Sequence, residues 1–282
     1  LAYLKDGCAE AEFYGWLFEA LEKGETVTEW KCSQKIAEFR AQQKHYVSES
    51  FTAIIAYREN AAMMHYAPLP QACSTIEREN MLLNDSGGQY LEGTTDTTRT
   101  FAVGPITDEE RRDFTDALKG VIALSRQRFL AGSTGSDLDT ICRGQIWKEG
   151  LNYRCGTGHS VSFVGNVHEG PHSLRGTNSV LMRPGMVVTD EPGVYETDLV
   201  GIRIENELVC IHKADNQYGT FLGFEPLTFV PIATSPILPG VLDKDELAWL
   251  NDYHRQVFAK LAPHLNAEER VWLAEKCASI GC

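Results

Sequence analysis

Apolar residues recur at helical spacing from Leu1 to Lys23 and stop at Gly24, a residue suited to the left-handed position that closes a helix. Thr26 with Glu29 makes a capping-box pattern, so a second helix is expected from there to about Lys44. Residues 48 to 103 are rich in Thr, Tyr, Ile and Gly, carry the turn signal Gly87-Gly88, and read as strands. The order then repeats. Thr107 with Glu110 forms another capping box, and Phe114, Ala117, Leu118, Val121 and Ile122 form an apolar stripe. Ser136 is placed to cap a further helix ending near Gly150, and strand-like segments run from 153 to 231. Helix, helix, strands therefore occurs twice, near 1–103 and 107–231, with little identity between the halves. Helices grouped before strands predict an α+β fold rather than alternating α/β. Pro231 to Pro239 is a Pro-rich connector. Beyond it two amphipathic helices are expected, one over 243–261 and one capped by Asn266, forming an appendage on the main domain or on a partner.

Composition narrows the class. The 282 residues are 43% hydrophobic and 23% charged, as in ordinary soluble globular proteins. No run of about 18 apolar residues is present, which argues against a membrane-spanning helix. Lys plus Arg number 26 against 39 Asp plus Glu, and a net charge of −13 with no basic patch repels nucleic acid. The start, Leu1-Ala2-Tyr3-Leu4-Lys5-Asp6, lacks the basic head and apolar block of a signal peptide and also lacks an initiator Met, so a fragment of a longer chain is expected. Eight cysteines without a CxxC pair, in a chain of this size, read as reduced thiols of a cytoplasmic protein.

Five segments concentrate polar residues in strand-like surroundings: LLNDSGGQY (82–90), TTDTTRTF (94–101), GTGHSVSFVGNVHEGP (156–171), VVTDEPGVY (187–195) and GIRIENELV (201–209). Buried charge is costly unless paired or bound to metal, so Asp85, Asp96, Glu191 and Glu205 cannot sit together as bare anions. Four carboxylates with His159 suit divalent cations, manganese foremost, with cobalt or zinc as alternatives. Asp85 and Asp96 flank the Gly87-Gly88 turn and are expected to face each other on neighbouring antiparallel strands. Alternation in GIRIENEL puts Arg203, Glu205 and Glu207 on one side, where Arg203 can hold a ligand carboxylate. Each segment alone has an ordinary reading as a turn or surface loop.

Together, and in this order, the segments resemble the pita-bread metallopeptidase superfamily. HYAP (65–68), DSGGQYLEGTTDTTRT (85–100), GTGH (156–159), NVHEGP (166–171), DEPGVYE (190–196) and GIRIEN (201–206) resemble its aminopeptidase P branch. FEPLTFVPI (224–232) and the helices after it resemble the C-terminal extension of the long members. The resemblance implies two pseudo-symmetric helix-helix-strand halves around a curved antiparallel sheet. It implies a catalytic domain over 1–231, a helical extension over 232–282, and further N-terminal domains upstream of this chain. It implies two divalent metals. Asp85 would chelate one, Asp96 and Glu205 would bridge both, and His159 and Glu191 would complete the second site. A hydroxide between the cations would attack the bond before a proline at the second position of a peptide. His65 and His168 would lie beside the substrate, and Glu191 could also carry protons. Cys155 stands where many relatives have a pocket His, and is expected to act as a small inert hydrophobe rather than a reactive thiol. Two rival readings are a prolidase, which cleaves Xaa-Pro dipeptides with the same ligand set, and a metal-free binding module of the same fold. A homodimer using residues 243–279 is a further expectation.

Overall fold

A computed structural model describes residues 1–281. The first half holds α1 (Ala2–Glu22), α2 (Glu29–Ala41), β1 (Tyr46–Glu49), β2 (Ile54–Tyr57), β3 (Met81–Ser86), β4 (Gly88–Tyr90), β5 (Gly93–Thr94) and β6 (Thr97–Ala102). The second holds α3 (Asp108–Arg126), β7 (Phe129–Leu130), α4 (Gly135–Lys148), β8 (Gly158–His159), β9 (Ser173–Leu174), β10 (Val187–Asp190), β11 (Gly193–Glu196), β12 (Val200–Arg203), β13 (Asn206–Asn216) and β14 (Gly219–Pro226). Helices α5 (Lys244–Leu261) and α6 (Ala267–Lys276) follow. The two halves thus share the expected order, and all the strand pairs are antiparallel.

Local signals set the helix ends, with two corrections. Thr107 and Glu110 form the expected capping box of α3, and Asn266 caps α6. The N-cap of α2, however, is Thr28, whose hydroxyl accepts from the Lys31 N–H at 3.1 Å, because the Glu29 side chain is drawn into long-range hydrogen bonds described below. Likewise Thr134 with Asp137, not Ser136, caps α4; the Ser136 hydroxyl donates instead to the Gly176 carbonyl. Gly24 does adopt φ +70° after α1, the left-handed stop its position predicts.

The main core runs under both halves. It joins Phe13, Tyr14 and Leu17 of α1, Ile36 of α2, Leu82 and Phe101 of β3 and β6, Val121 and Ile122 of α3, and Ile202 of β12. Leu250, Tyr253, Val257 and Leu261 of α5 and Leu273 of α6 belong to the same core, so the C-terminal helices spend their apolar face on their own chain. Val271, 71% exposed, is what α6 leaves for a neighbour. Seven cysteines among the described residues are free. No helix there is long and apolar enough to cross a membrane.

Two buried cation networks fasten the strands that carry the polar segments. Arg40 of α2 pairs with Asp6 at 2.8 Å and Glu10 at 2.6 Å, both from α1. Glu10 also accepts from Asn84 at 3.0 Å and Ser86 at 3.3 Å, the two neighbours of Asp85 on β3. Arg99 of β6 donates to Asn206 Oδ1, the Val230 carbonyl, the Tyr253 hydroxyl of α5 and the Glu205 carbonyl. These guanidiniums tie α1 and α5 to the strand ends on which the site is built.

One buried acidic group outside the site gives a pH signature. Asp113 on α3 is pushed up to about 7, first by burial and then by Glu196, Glu109, Asp116 and Glu110. Its folded pKa lies above the unfolded value near 4, so the native state holds the proton more tightly and this group's contribution to stability falls as pH rises from about 4 through about 7. Asp113→Asn should therefore raise the melting temperature at pH 8 and change it little at pH 4. Thermal unfolding across that range checks this; an equal shift at both pH values would refute it.

Candidate metal centre

Strand interruptions, as much as strands, bring the polar residues together. Asp85 lies within β3, and its partner on β6 is Thr98, not Asp96. Asp96 sits in the gap between β5 and β6, Glu191 one residue past β10, and Glu205 between β12 and β13. His159 closes β8. Where the ladder breaks, side chains leave the strict up-down alternation and converge. All five line one cleft of about 410 Å³, with Phe51, Ile54, Met64, Val167 and Tyr195 as its apolar wall.

Donor atoms of Asp96, His159 and Glu205 all lie within 4.8 Å of one another. His159 Nε2 is 3.4 Å from Asp96 Oδ2 and 3.4 Å from Glu191 Oε1. Its Nδ1 is 3.1 Å from the Ser160 carbonyl, which can only accept, so Nδ1 donates there and Nε2 is the nitrogen turned to the carboxylates. Asp85 is held by Arg203 Nη2, and Arg203 also donates to the Tyr195 hydroxyl at 2.8 Å and Thr98 Oγ1 at 3.2 Å. The Thr98 hydroxyl donates in turn to Glu205 Oε2 at 2.6 Å. Glu205 is 1% exposed and Asp96 4%.

Burial, then the neighbouring carboxylates, pushes the pKa values of Asp96 and Glu205 well above the usual range. Glu191 is raised as well, chiefly by burial. Asp85 Oδ1 and Glu205 Oε1 are buried with no hydrogen-bond partner. Four carboxylates and an imidazole around one arginine, with two orphaned oxygens, form a donor set that fits divalent cations, and an oxygen-rich set with one nitrogen suits the harder ones.

His168 is in the loop between β8 and β9, its ring centroid 3.8 Å from that of His159. Burial first, then His159 and His65, lowers its pKa, so its imidazole is neutral at pH 7. His65 lines the same cleft from the segment after β2. That segment is moored by Glu29, fully buried at the start of α2. Its carboxylate accepts from the Tyr57 N–H at 2.6 Å, the Tyr66 hydroxyl at 2.6 Å, the Ser74 N–H at 2.7 Å and the Asn60 amide. Cys155 also lines the cleft, its thiol pushed up to about 11 by burial and then by Glu191, so it remains a neutral thiol.

Three supporting residues were not read from the sequence. Thr98 and Tyr195 hold Glu205 and Arg203 as described. Thr189 Oγ1 accepts from the His159 N–H at 3.0 Å and donates to Glu191 Oε1 at 3.1 Å. Its two-residue spacing from Glu191 was the only sequence signal available for it.

The sequence profile of metallopeptidase family M24 matches residues 8–212, and that of the C-terminal region of peptidase M24 matches 220–280. The chain belongs to metallopeptidase family M24. Aminopeptidase P2 of Arabidopsis thaliana is 41% identical over 279 residues, covering 96% of this chain and 39% of that protein. X-prolyl aminopeptidase from Caenorhabditis elegans, described as a cytosolic enzyme with a di-nuclear active site, superposes with a TM-score of 0.94 at 39% identity, over 99% of this chain and 46% of its own. The Xaa-Pro dipeptidase from Bacillus anthracis superposes less closely, at a TM-score of 0.65 and 26% identity over 82% of this chain and 61% of its own. The fold is thus the pita-bread fold of M24. This M24 chain spans less than half the length of the two aminopeptidases.

Proposed function

We propose that this chain is the catalytic region of an Xaa-Pro aminopeptidase, with two divalent cations, manganese foremost, held by Asp85, Asp96, His159, Glu191 and Glu205. The observation that carries the reading is the donor set itself, with Asp96, His159 and Glu205 within 4.8 Å and two buried carboxylate oxygens unpaired. When bound, two such cations supply Lewis acidity, lowering the pKa of a water and polarising a carbonyl.

The chain's own residues do the rest. Asp96 and Glu205 would contribute to both cations, Asp85 to one, and His159 with Glu191 to the other. Arg203 orients Asp85 and Thr98 orients Glu205, each through a hydrogen bond to one carboxylate oxygen. His168, uncharged and beside His159, is placed to donate a hydrogen bond where charge develops on the scissile carbonyl. Glu191 can accept a proton and pass it to the leaving proline nitrogen. The apolar wall and the neutral Cys155 give a proline ring a water-poor seat.

Residues 1–231 would form the catalytic domain and 232–282 its extension, joined through the Tyr253–Arg99 contact. The cytosolic relative and the free thiols support a cytoplasmic location, which cell fractionation tests. A homodimer through α5 and α6 belongs to the same reading; sedimentation of protein with and without residues 243–282 tests it.

The deciding experiment adds manganese, cobalt or zinc to stripped protein and compares Xaa-Pro-Yaa tripeptides with Xaa-Pro dipeptides. Metal-dependent release of the first residue from the tripeptide is expected. Preference for the dipeptide would make the chain a prolidase, and failure to take up metal would make it a binding module.

A further inference from the structure

Behind the cleft lies a carboxylate that the hydrolysis does not use. Glu207 on β13 is fully buried and is not part of the cleft lining. Its Oε1 accepts from the Asp96 N–H at 2.6 Å, and its Oε2 accepts from the Tyr3 hydroxyl at 2.6 Å. Asp96 lies in the gap between β5 and β6, where its N–H has no ladder partner, and Glu207 provides the acceptor that the broken ladder lacks. Across the β10–β13 ladder, Glu207 is paired with Thr189, the residue that holds the His159 N–H and the Glu191 carboxylate. Directly opposed residues of an antiparallel pair share a face. One cross-strand pair therefore touches three of the five proposed ligands.

We propose that Glu207, clamped by Tyr3, is a positioning residue for the metal centre. It fixes the Asp96 backbone so that the side chain is aimed at His159 and Glu205 before any cation arrives. The backbone of Glu207 is itself fixed, its N–H donating to Thr228 Oγ1 at 2.9 Å and its carbonyl accepting from the Leu227 N–H at 2.8 Å. Tyr3 stands in the first turn of α1, so docking of that helix and the geometry of the centre are linked through one hydroxyl and one carboxylate. This inference rests on the two-metal reading above.

Manganese titration of the stripped protein by calorimetry tests it, alongside thermal unfolding of the metal-free form. Glu207→Leu should weaken manganese binding by about 10- to 100-fold, the range usual for residues that orient ligands. Glu207→Gln keeps an oxygen for the Asp96 N–H and should restore affinity to within a few-fold, roughly, of wild type. Tyr3→Phe removes a single hydroxyl, is isosteric, and should weaken binding by a smaller but measurable factor even if Glu207→Leu does not fold. Leu208→Ala, on the same strand but buried in a separate apolar cluster with Val188, Leu222 and Phe224, should lower the unfolding temperature and leave manganese affinity alone. Wild-type affinity in both Glu207→Leu and Tyr3→Phe, or the same affinity loss in Leu208→Ala, overturns the assignment. Wild-type protein that takes up no metal overturns the peptidase reading as well; wild-type binding that these variants match overturns this one alone.

Discussion

Asp96→Ala is expected to lose bound metal and peptidase activity together, with turnover down by about three orders of magnitude or more, since the Lewis-acid contribution amounts to several kcal/mol. The side chain is central: it lies 3.4 Å from His159 Nε2 and within 4.8 Å of the Glu205 donor. No neighbouring carboxylate can take its place without moving the strand end that carries it. The stability response separates this role from a packing role. Without metal, Asp96 is a strained group, its pKa raised by burial and by Asp85, Glu191 and Glu207, so Asp96→Asn should not destabilise the stripped protein. With metal at 100 times its dissociation constant, wild type should gain roughly 2.7 kcal/mol and the variant far less. Elemental analysis and melting curves with and without manganese measure both effects. Full activity at unchanged metal content would sink the assignment.

The second large effect concerns two histidines whose rings are in contact. His168→Ala should keep its metal and lose about 10²- to 10³-fold in kcat, the cost of removing one preorganised donor. His159→Ala should lose occupancy as well as activity. The geometry distinguishes them: His159 turns Nε2 to Asp96 and Glu191, whereas His168 makes no hydrogen bond or ion pair with a carboxylate among the described residues and has a pKa lowered mainly by burial, with Asp85 acting the other way. Steady-state kinetics with metal analysis on both variants decides the matter. Loss of metal from His168→Ala would make it a ligand, and near-normal kcat would make it a surface histidine of the loop.

What could be read from the sequence was what neighbours along the chain determine. The Thr107–Glu110 box and the Asn266 cap were legible because donor and acceptor lie within one turn. The Thr26–Glu29 pattern misled because the Glu29 carboxylate is claimed by Tyr57 and Ser74, 28 and 45 residues away, and local pattern carries no trace of such partners. The five proposed ligands were legible as a set, since a carboxylate in an apolar strand is anomalous on its own terms. Their arrangement was not. Asp85 and Asp96 do not face each other across the ladder, because a two-stranded excursion, β4 and β5, intervenes and leaves Asp96 before the start of β6. Alternation put Glu207 on one side of a single strand with Arg203 and Glu205, but the strand is interrupted between β12 and β13, Glu207 lies outside the cleft lining, and its partners, Tyr3 and the Asp96 N–H, come from distant segments that only the fold brings near.

The mooring on Glu29 divides residues 57–74 into a part that lines the cleft, at Met64 and His65, and a part beyond Tyr66 that does not. Tyr66 and Ser74 are pinned to the same carboxylate, so the stretch from 67 to 73 hangs between two fixed posts. Lengthening such a span is inexpensive, about 0.6 kcal/mol for each doubling. Changes of sequence or length there should therefore leave the cleft lining and all five proposed ligands in place, since the stretch from 67 to 73 contributes to neither.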